Sequence, residues 1–338
     1  MSDKKAGTMI ISLDFELMWG VLDHHDIHTY GRQVLGARKA VERILVLFEK
    51  YNIHATWAVV GFLFCRDKKE LQKYIPSELP RYHETGYNAY SYIRNIGADD
   101  NAYYFAPELI RKIKNTRNQE IASHTFSHYY CLEHGQTYGQ FEADIKMFMD
   151  VSSRMGHSVQ SIVFPRNQIY PAYGTILKKY GIHNYRGTEK CWCYQESEKR
   201  KNYLIKRAFR MLDAYLNIFG HHCYSYSDIT KGELCNMRSS RFLRPYDHRL
   251  ATLEPVKIHR IKRQMEYAAK HKKVFHIWWH PHNFGADIEN NMKNLEEILT
   301  WYKELKRTYG FLSLSMQEAG TICRSCLPEL SRFYSGES

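Results

Sequence analysis

The sequence lacks several features that would assign it to a simple class. No apolar run in its 338 residues approaches the roughly 20 residues of a bilayer-spanning helix, so no membrane span is expected. No secretory signal is visible, because "MSDKKAG" leads directly into the first predicted strand without an apolar stretch. No internal repeat or low-complexity tract is present. These absences predict a globular protein of the reducing cytoplasm.

Cysteine is too scattered for a disulfide framework. The eight cysteines include only two close pairs, Cys191 with Cys193 and Cys323 with Cys326. The second pair has the spacing of a zinc or redox hairpin, but the other half of such a site is missing. We therefore interpret the cysteines as buried or idle thiols, with structural zinc at Cys323 and Cys326 as the alternative.

Acidic residues are fewer than basic ones, 36 against 48, which gives a net charge of +12. This excess favours anionic partners, although charge alone does not choose among nucleic acid, lipid and phosphorylated substrates. Residues 199–210 contain six basic residues and no acidic one, within an apolar and amphipathic stretch. This stretch predicts either a helix lying on an anionic membrane or a core helix with a solvated basic edge. Nucleic acid is not the expected partner.

Short apolar runs alternate with helical patterns along the chain. "TMIISLD", "HATWAVVG", "VQSIVFP" and "KVFHIWWH" are strand-like, and "GARKAVERILVLFEKY" is among the helical stretches between them. This alternation predicts an α/β fold with parallel strands, as an open sheet or a barrel. The 44% hydrophobic content suffices for one large core. We expect a single domain over residues 1–338, with insertions at about 62–118 and 187–250 that shape the substrate site.

Polar side chains follow the apolar runs with regularity. They are Asp14 and Glu16 after "MIISL", His124 and His128 after "EIAS", Arg166 after "SIVFP", and His280 and His282 after "VFHIWW". Because the carboxyl ends of parallel strands meet at one mouth, we expect these groups to converge.

The first two of these groups have the chemistry of a metal site. Asp14 and Glu16 lie two apart on a strand, so they share a face, and two like charges are usually kept together by a cation or a shared proton. His124 and His128 are four apart, which on a helical turn places both imidazoles on one side. Two histidines with one carboxylate leave an open coordination position, as a catalytic metal site requires.

Four segments together carry a family resemblance. "SLDFE" at 12–16, "HTFSH" at 124–128, "FPRNQ" at 164–168 and "WWHPHN" at 278–283 resemble the successive motifs of the polysaccharide deacetylase family, the NodB-homology group of carbohydrate esterases. The resemblance spans residues 9 to about 318. It implies a distorted (β/α) barrel of about seven parallel strands. It also implies a metal-dependent hydrolase that removes an N-acetyl or N-formyl group from an amino sugar of a polysaccharide or a lipid-linked glycan precursor.

The resemblance also implies roles for individual residues. Asp14 would be the general base, and His280 the general acid. Glu16, His124 and His128 would hold a divalent metal, with Zn²⁺ as the expected ion. Arg166 would orient Asp14, and a backbone N–H after Arg166 would help to hold the oxyanion.

Two motifs depart from the family pattern and leave alternatives open. Phe15 stands where many members have a second Asp, so Asp14 remains the alternative metal ligand to Glu16. "PRNQ" alters the third motif. An allantoinase-like hydrolase of a non-sugar amide, or an inactive glycan-binding member, therefore remain alternative functions. The expected location is the cytoplasm, with peripheral contact at the inner face of the membrane as an extension of that prediction.

Overall fold

The fold is organised around its first strand. The computed structural model describes residues 6–194, 200–230 and 234–325, and within these ranges one sheet contains nine strands. In chain order the strands are β1 (Thr8–Phe15), β2 (Ala55–Val59), β3 (Gln119–Ser123), β4 (Ser161–Ile162), β5 (Asn184–Tyr185), β6 (Cys235–Asn236), β7 (Arg241–Phe242), β8 (Val274–Trp279) and β9 (Leu312–Leu314). All eight residues of β1 are buried, as expected for a central strand of a parallel sheet.

The strands are parallel and lie in the order β6-β5-β4-β3-β2-β1-β8-β7, with β9 beside β1. The first half of β1 pairs with β9, where Thr8 lies opposite Leu312. The second half pairs with β2, where Ser12 lies opposite Thr56. The carboxyl end of β1 therefore has β2 on one side and β8 on the other, which brings three strand ends together.

The two outer strands, β6 and β7, are joined by residues 237–240. The Ser239 N–H donates to the Gly187 carbonyl just after β5 (2.8 Å), and the Ser240 N–H donates to the His276 carbonyl in β8 (2.7 Å). This short segment thus connects the two edges of the sheet. The predicted α/β fold with a distorted barrel is confirmed.

The structure adds detail to the strand count and to one of the predicted insertions. The described residues form nine strands rather than about seven, and β6 and β7 lie inside the 187–250 region that was predicted to be an insertion. Each of these strands is two residues long, so neither has the apolar alternation from which a strand is recognised. The region therefore belongs partly to the barrel wall.

Helices cover the outer face of the sheet. The longer ones are Ile27–Tyr51, Pro107–Asn115, Tyr138–Arg154, Gly174–Lys179, Arg200–Asp213, Glu254–Lys270, Ile288–Tyr309 and Met316–Ser325, with single turns at Lys68–Leu71, Ala89–Tyr92, Asn101–Tyr104 and Pro281–Phe284. Within the described ranges, none of the helices has the length and apolarity that crossing a membrane would require.

The first long helix, Ile27–Tyr51, begins earlier than its apolar pattern predicts. The Asp26 carboxylate accepts the backbone N–H groups of His28 (3.0 Å) and Thr29 (2.8 Å), which caps the free donors of the first turn. The helix ends at Asn52, whose left-handed φ of 51° stops the helical ladder.

The two faces of β1 have different surroundings. Met9, Ile11 and Leu13 point outward and pack under the helices in the main core. Ile10 points inward and shares a smaller cluster with apolar residues of the neighbouring strands. Farther along the same inward face, Ser12 and Asp14 are polar although fully buried. The barrel interior is therefore apolar at one end and polar at the carboxyl end of its strands.

Residues 62–118, the other predicted insertion, lie partly against this polar end. The Tyr82 hydroxyl accepts the Tyr130 backbone N–H (2.9 Å), and the Tyr87 ring lies edge-on to that of Tyr130 at 5.2 Å between centroids. Tyr130 follows "HTFSH" by two residues, so this region borders the loop that carries His124 and His128.

Candidate active site

Asp14 and Glu16 lie on one face of β1 and just beyond it, as strand alternation predicts. Both side chains are buried, at 3% exposure each. A Cβ at Gly20 would lie 1.9 Å from Glu16 Oε2, so the absence of a side chain at Gly20 leaves the space that the Glu16 carboxylate occupies. The local turn after β1 therefore holds a second carboxylate beside the first.

The "HTFSH" segment brings two imidazoles to the same place, but not through a helical turn as predicted. Thr125 (φ 60°) and His128 (φ 58°) have left-handed backbone conformations, and the segment is a loop. The buried Asp144 carboxylate stabilises this loop, because it accepts the backbone N–H groups of Phe126 (2.6 Å) and Ser127 (3.1 Å). The rings of His124 and His128 lie 5.2 Å apart.

Glu16, His124 and His128 form a compact set of possible metal ligands. His128 Nε2 is 2.9 Å from Glu16 Oε2, and His124 Nε2 is 3.8 Å from the same oxygen. One donor atom from each residue lies within 4.8 Å of the others, and all three residues are buried. One carboxylate and two imidazoles are a donor set that suits Zn²⁺.

The orientation of His124 also fits a metal ligand. Its Nδ1 lies 2.8 Å from the Val163 carbonyl oxygen, which can only accept. Nδ1 therefore carries the proton, and the lone pair of Nε2 faces Glu16. Burial lowers the pKa of His124 to about 4, so its neutral form is favoured. Such an outer hydrogen bond fixes the ring of most metal-binding histidines.

His280 lies on the other side of Glu16. Its Nε2 is 3.0 Å from Glu16 Oε1 and 3.7 Å from Asp14 Oδ2. Although burial alone would lower the pKa of His280, the Glu16 carboxylate raises it above its usual value. The geometry therefore favours a protonated imidazole beside both carboxylates. His282, also near Glu16, has a buried Nδ1 for which the described residues provide no hydrogen-bond partner.

The arginine that pairs with Asp14 is Arg186, and the prediction that Arg166 does so is wrong. Arg186 Nη1 and Nη2 donate to the two Asp14 carboxylate oxygens, each at 2.7 Å. Although burial would raise the pKa of Asp14, Arg186 and His124 lower it below its usual value. Arg186 follows β5, and it was missed because the run before it, "IHNY", is short and polar.

Arg166 points elsewhere because Arg166 (φ 54°) and its neighbour Asn167 (φ 55°) are both left-handed. The Arg166 guanidinium pairs with Asp23 and lies over the Tyr130 ring, 4.5 Å from its centroid. Asn167 turns toward the site, where its Oδ1 accepts from Arg186 (3.1 Å). The Asn167 N–H donates to the Phe164 carbonyl (2.9 Å), so the predicted oxyanion donor after Arg166 is already engaged.

A buried relay of hydrogen bonds lies beneath Arg186. Arg186 Nη1 donates to Ser12 Oγ (3.1 Å), and Ser12 Oγ is 2.8 Å from His276 Nε2. His276 Nδ1 is 3.0 Å from the Met237 carbonyl oxygen, so Nδ1 carries the proton and Nε2 accepts from Ser12. Burial lowers the pKa of His276 to about 3, which favours this neutral form. The relay fixes Arg186, which in turn orients Asp14.

The cysteines within the described ranges are not among the residues of this site. Cys323 is buried in the inner apolar cluster, and Cys326 lies outside the described residues. Cys191 and Cys193 are free thiols whose sulfur atoms are 3.4 Å apart.

Comparisons with known proteins find a family model and several solved structures that are similar to this chain. Residues 29–185 match the family model described as polysaccharide deacetylase. This range contains "HTFSH" and "FPRNQ", whereas Asp14, Glu16 and His280 lie outside it. No curated protein matches the sequence significantly.

Solved structures share the fold at low sequence identity. A protein described as a polysaccharide deacetylase from Mycobacterium smegmatis has a TM-score of 0.58 at 13% identity, with 96% of this chain and 93% of that chain covered. Puue allantoinase has a TM-score of 0.54 at 12% identity, with 94% and 91% covered. A protein described as a polysaccharide deacetylase from Pseudomonas aeruginosa PAO1 has 0.52 at 11% identity, with 93% and 90% covered.

Residues 29–185 are thus similar to a family of deacetylases, and the solved structures share the fold of the whole chain. The match to the polysaccharide deacetylase family model covers residues 29–185, less than half of the chain, and it supports the resemblance drawn from the two motifs inside that range, "HTFSH" and "FPRNQ".

Proposed function

We propose that the protein is a Zn²⁺-dependent hydrolase that removes an acetyl or formyl group from the nitrogen of an amino sugar. The observation that carries this proposal is the convergence of Glu16, His124 and His128 within 4.8 Å, with Asp14 beside them and paired to Arg186. Three groups would hold the ion, and one carboxylate remains to act on water. When bound, a divalent cation supplies Lewis acidity toward an acyl carbonyl and toward water.

Asp14 is the proposed general base. Its two oxygens accept from Arg186 at 2.7 Å each, so the carboxylate is held in one orientation and kept ionised. In the proposed reaction Asp14 takes a proton from the attacking water, whose oxygen forms a bond to the acyl carbon. General-base catalysis of this kind contributes roughly 10² to 10⁴-fold.

His280 is the proposed general acid. It lies near both Glu16 and Asp14, and the carboxylate charge favours its protonated form. As the bond between the acyl carbon and the sugar nitrogen breaks, His280 gives its proton to that nitrogen. The products are a free amino sugar and a short carboxylic acid. The oxygen of the attacking water is in the acid, and the amine nitrogen has gained a proton.

Arg166 has a different proposed role from the one predicted. Asp23 and Tyr130 hold it at the wall of the cavity beside the site, where it would border a bound sugar rather than the base. Orientation of Asp14 is assigned to Arg186 instead.

We also propose that the substrate is a lipid-linked glycan precursor and that the enzyme acts in the cytoplasm, at the inner face of the membrane. The helix Arg200–Asp213 and the residues after it support this reading, because Leu204 (59%), Leu212 (49%) and Leu216 (55%) are exposed apolar side chains. The exposed Arg207 lies among them. An amphipathic basic surface of this kind binds anionic bilayers.

A vesicle sedimentation assay tests the membrane part. Protein should sediment with phosphatidylglycerol vesicles at low salt, and Leu204→Ser combined with Leu216→Ser should reduce the bound fraction several-fold. The control is Val46→Ser, which removes an apolar residue exposed 63% on the helix Ile27–Tyr51 and should change nothing. Equal sedimentation of both variants would refute the membrane proposal.

A single substitution tests the chemistry. Asp14→Asn should retain about one equivalent of bound metal, measured by mass spectrometry of the purified protein. The same variant should lose acetate release from an N-acetylglucosamine oligosaccharide by about 10² to 10⁴-fold. Asp99→Asn, at an exposed position, is the matched control. Turnover that survives in Asp14→Asn would overturn the assignment of the base.

A further inference from the structure

A large cavity opens beside the candidate active site. Its volume is about 1240 Å³, and His280, Trp278 and Asn167 line part of it. Because His280 and Asn167 also belong to the catalytic cluster, a substrate bound at that cluster would extend into this cavity.

The cavity wall is strongly cationic. Five basic residues line it, namely Arg166, Lys206, Arg210, Arg241 and Arg244. Among the residues that the structure describes, two acidic ones, Glu133 and Glu189, face the same space, and both accept hydrogen bonds. Glu133 accepts from Gln168 (2.7 Å), and Glu189 accepts from Ser239 (2.9 Å).

Arg241 and Arg166, two of these residues, each pair with a carboxylate of the described residues. Arg241 pairs with Asp213 at 3.0 Å, and Arg166 pairs with Asp23. Arg244 differs, since no carboxylate of the described residues lies within ion-pair distance of its guanidinium. Its charge is therefore available to a ligand in the cavity.

Arg244 is also held in place at a position that is unfavourable for a lone cation. Lys257 Nζ donates to the Arg244 carbonyl (2.9 Å), which fixes the backbone. The side chain is half-buried. Burial lowers the pKa of Arg244, and the nearby Arg241 and Arg210 lower it further. A bound anion would offset both the cost of desolvation and the like-charge repulsion.

We propose that Arg244 is the main contact of a subsite for a phosphate group carried by the substrate, in the cavity that Lys206 and Arg210 also line. The proposal rests on the proposed N-deacylase function, because it places the phosphate on the amino sugar whose acyl group reaches Asp14. The guanidinium fork of an arginine matches phosphate oxygens in two parallel hydrogen bonds, and several cations suit the charge of a phosphate.

Binding of two probe sugars tests the subsite. Calorimetry on the metal-loaded protein compares N-acetylglucosamine 1-phosphate with the neutral methyl glycoside of N-acetylglucosamine. The wild type should bind the phosphorylated sugar about tenfold more tightly or better, the size expected of one charge-assisted contact. Arg244→Gln should abolish most of this preference, and Arg244→Lys should retain part of it. Arg111→Gln, at an exposed position away from the cavity, should leave the preference unchanged.

Two further measurements, binding of inorganic phosphate and release of acetate, distinguish the possible outcomes. Inorganic phosphate should bind more weakly than the sugar phosphate, and equal affinity would refute a substrate subsite. Equal binding of the two sugars by the wild type would also refute it, as would a preference unchanged in an Arg244→Gln protein that is folded by circular dichroism. Acetate release is measured in the same samples. An Arg244-dependent preference for the phosphorylated sugar without any acetate release would support the subsite and refute the proposed deacylation. Acetate release without any preference for the phosphorylated sugar would support the deacylation and refute the subsite.

Discussion

Two buried aspartates each pair with an arginine, and the two pairs have different surroundings. Asp14 accepts from Arg186 at 2.7 Å at the carboxyl end of β1, and Glu16 and His280 lie beside it. Asp213, at the end of the helix Arg200–Asp213, accepts from Arg241 at 3.0 Å. Both aspartates have a pKa below the usual value, because the arginine and the neighbouring groups outweigh the effect of burial.

The difference lies in what else each carboxylate touches. Asp213 is surrounded by donors, with the Tyr194 hydroxyl and His222 Nε2 at 3.1 Å and the Arg260 guanidinium at 3.6 Å. Apart from Arg186, Asp14 has His280 Nε2 at 3.7 Å, which is beyond hydrogen-bond distance, so this imidazole does not occupy a lone pair of Asp14 Oδ2. A depressed carboxylate pKa therefore does not by itself mark the catalytic residue. The number of hydrogen-bond donors around the carboxylate is more informative, because a general base must keep a lone pair that can reach the substrate.

The largest expected effect is on stability, at Asp213. Asp213→Asn should lower the free energy of unfolding by about 3 to 5 kcal/mol, because it leaves Arg241 and Arg260 as buried cations without their carboxylate. Urea unfolding at pH 7 measures this change. Acetate release at low temperature, where the variant is folded, should stay within a few-fold of the wild type.

The exposed Asp99 provides the control for this change, and Asp99→Asn should alter stability by less than about 0.5 kcal/mol. A loss of turnover in folded Asp213→Asn as large as that in Asp14→Asn would show that the two aspartate pairs are not functionally different.

The next largest effect is on turnover, at Arg186. Arg186→Gln should reduce kcat by about 10²-fold, because a misaligned base loses the benefit of positioning. Bound metal should remain near one equivalent, since Arg186 contacts none of the three proposed ligands in the hydrogen bonds of the site. The reduction of kcat in Arg166→Gln should be at least tenfold smaller than the reduction in Arg186→Gln. Equal losses in the two variants would return the orienting role to Arg166.

The contrast between Arg186 and Arg166 shows which parts of the fold and the site could be predicted from the sequence. The alternation of strands and helices predicted the α/β barrel, because runs such as "MIISL" and "VFHIWW" are long enough to show their periodicity. The convergence of Asp14, Glu16, His124 and His280 followed from the rule that parallel strand ends meet.

What could not be predicted depends on local backbone geometry. The two-residue strands β5 to β7 have no apolar run, so neither their place in the wall nor the position of Arg186 after β5 was visible. The left-handed residues at Arg166 and Asn167 redirect both side chains, and alternation along a strand gives no information about such a turn. Asp144, which holds the "HTFSH" loop, lies on the helix Tyr138–Arg154 and appears in the sequence as one polar residue of an amphipathic pattern.

The smallest expected effect is a dependence of stability on pH that belongs to Asp213. Burial would raise the pKa of Asp213, but His222 and Arg241 bring it well below the usual value. Because the folded-state pKa is the lower one, the stabilisation is complete above the unfolded-state pKa of about 3.9, and it is lost as the pH falls toward the folded-state value. Urea unfolding between about pH 3 and 7 should therefore show that the difference in unfolding free energy between wild type and Asp213→Asn begins to narrow below about pH 4. The difference between wild type and Asp99→Asn should not change with pH. A constant gap between wild type and Asp213→Asn would mean that the Asp213 carboxylate stabilises the fold by its shape and hydrogen bonds rather than by its charge.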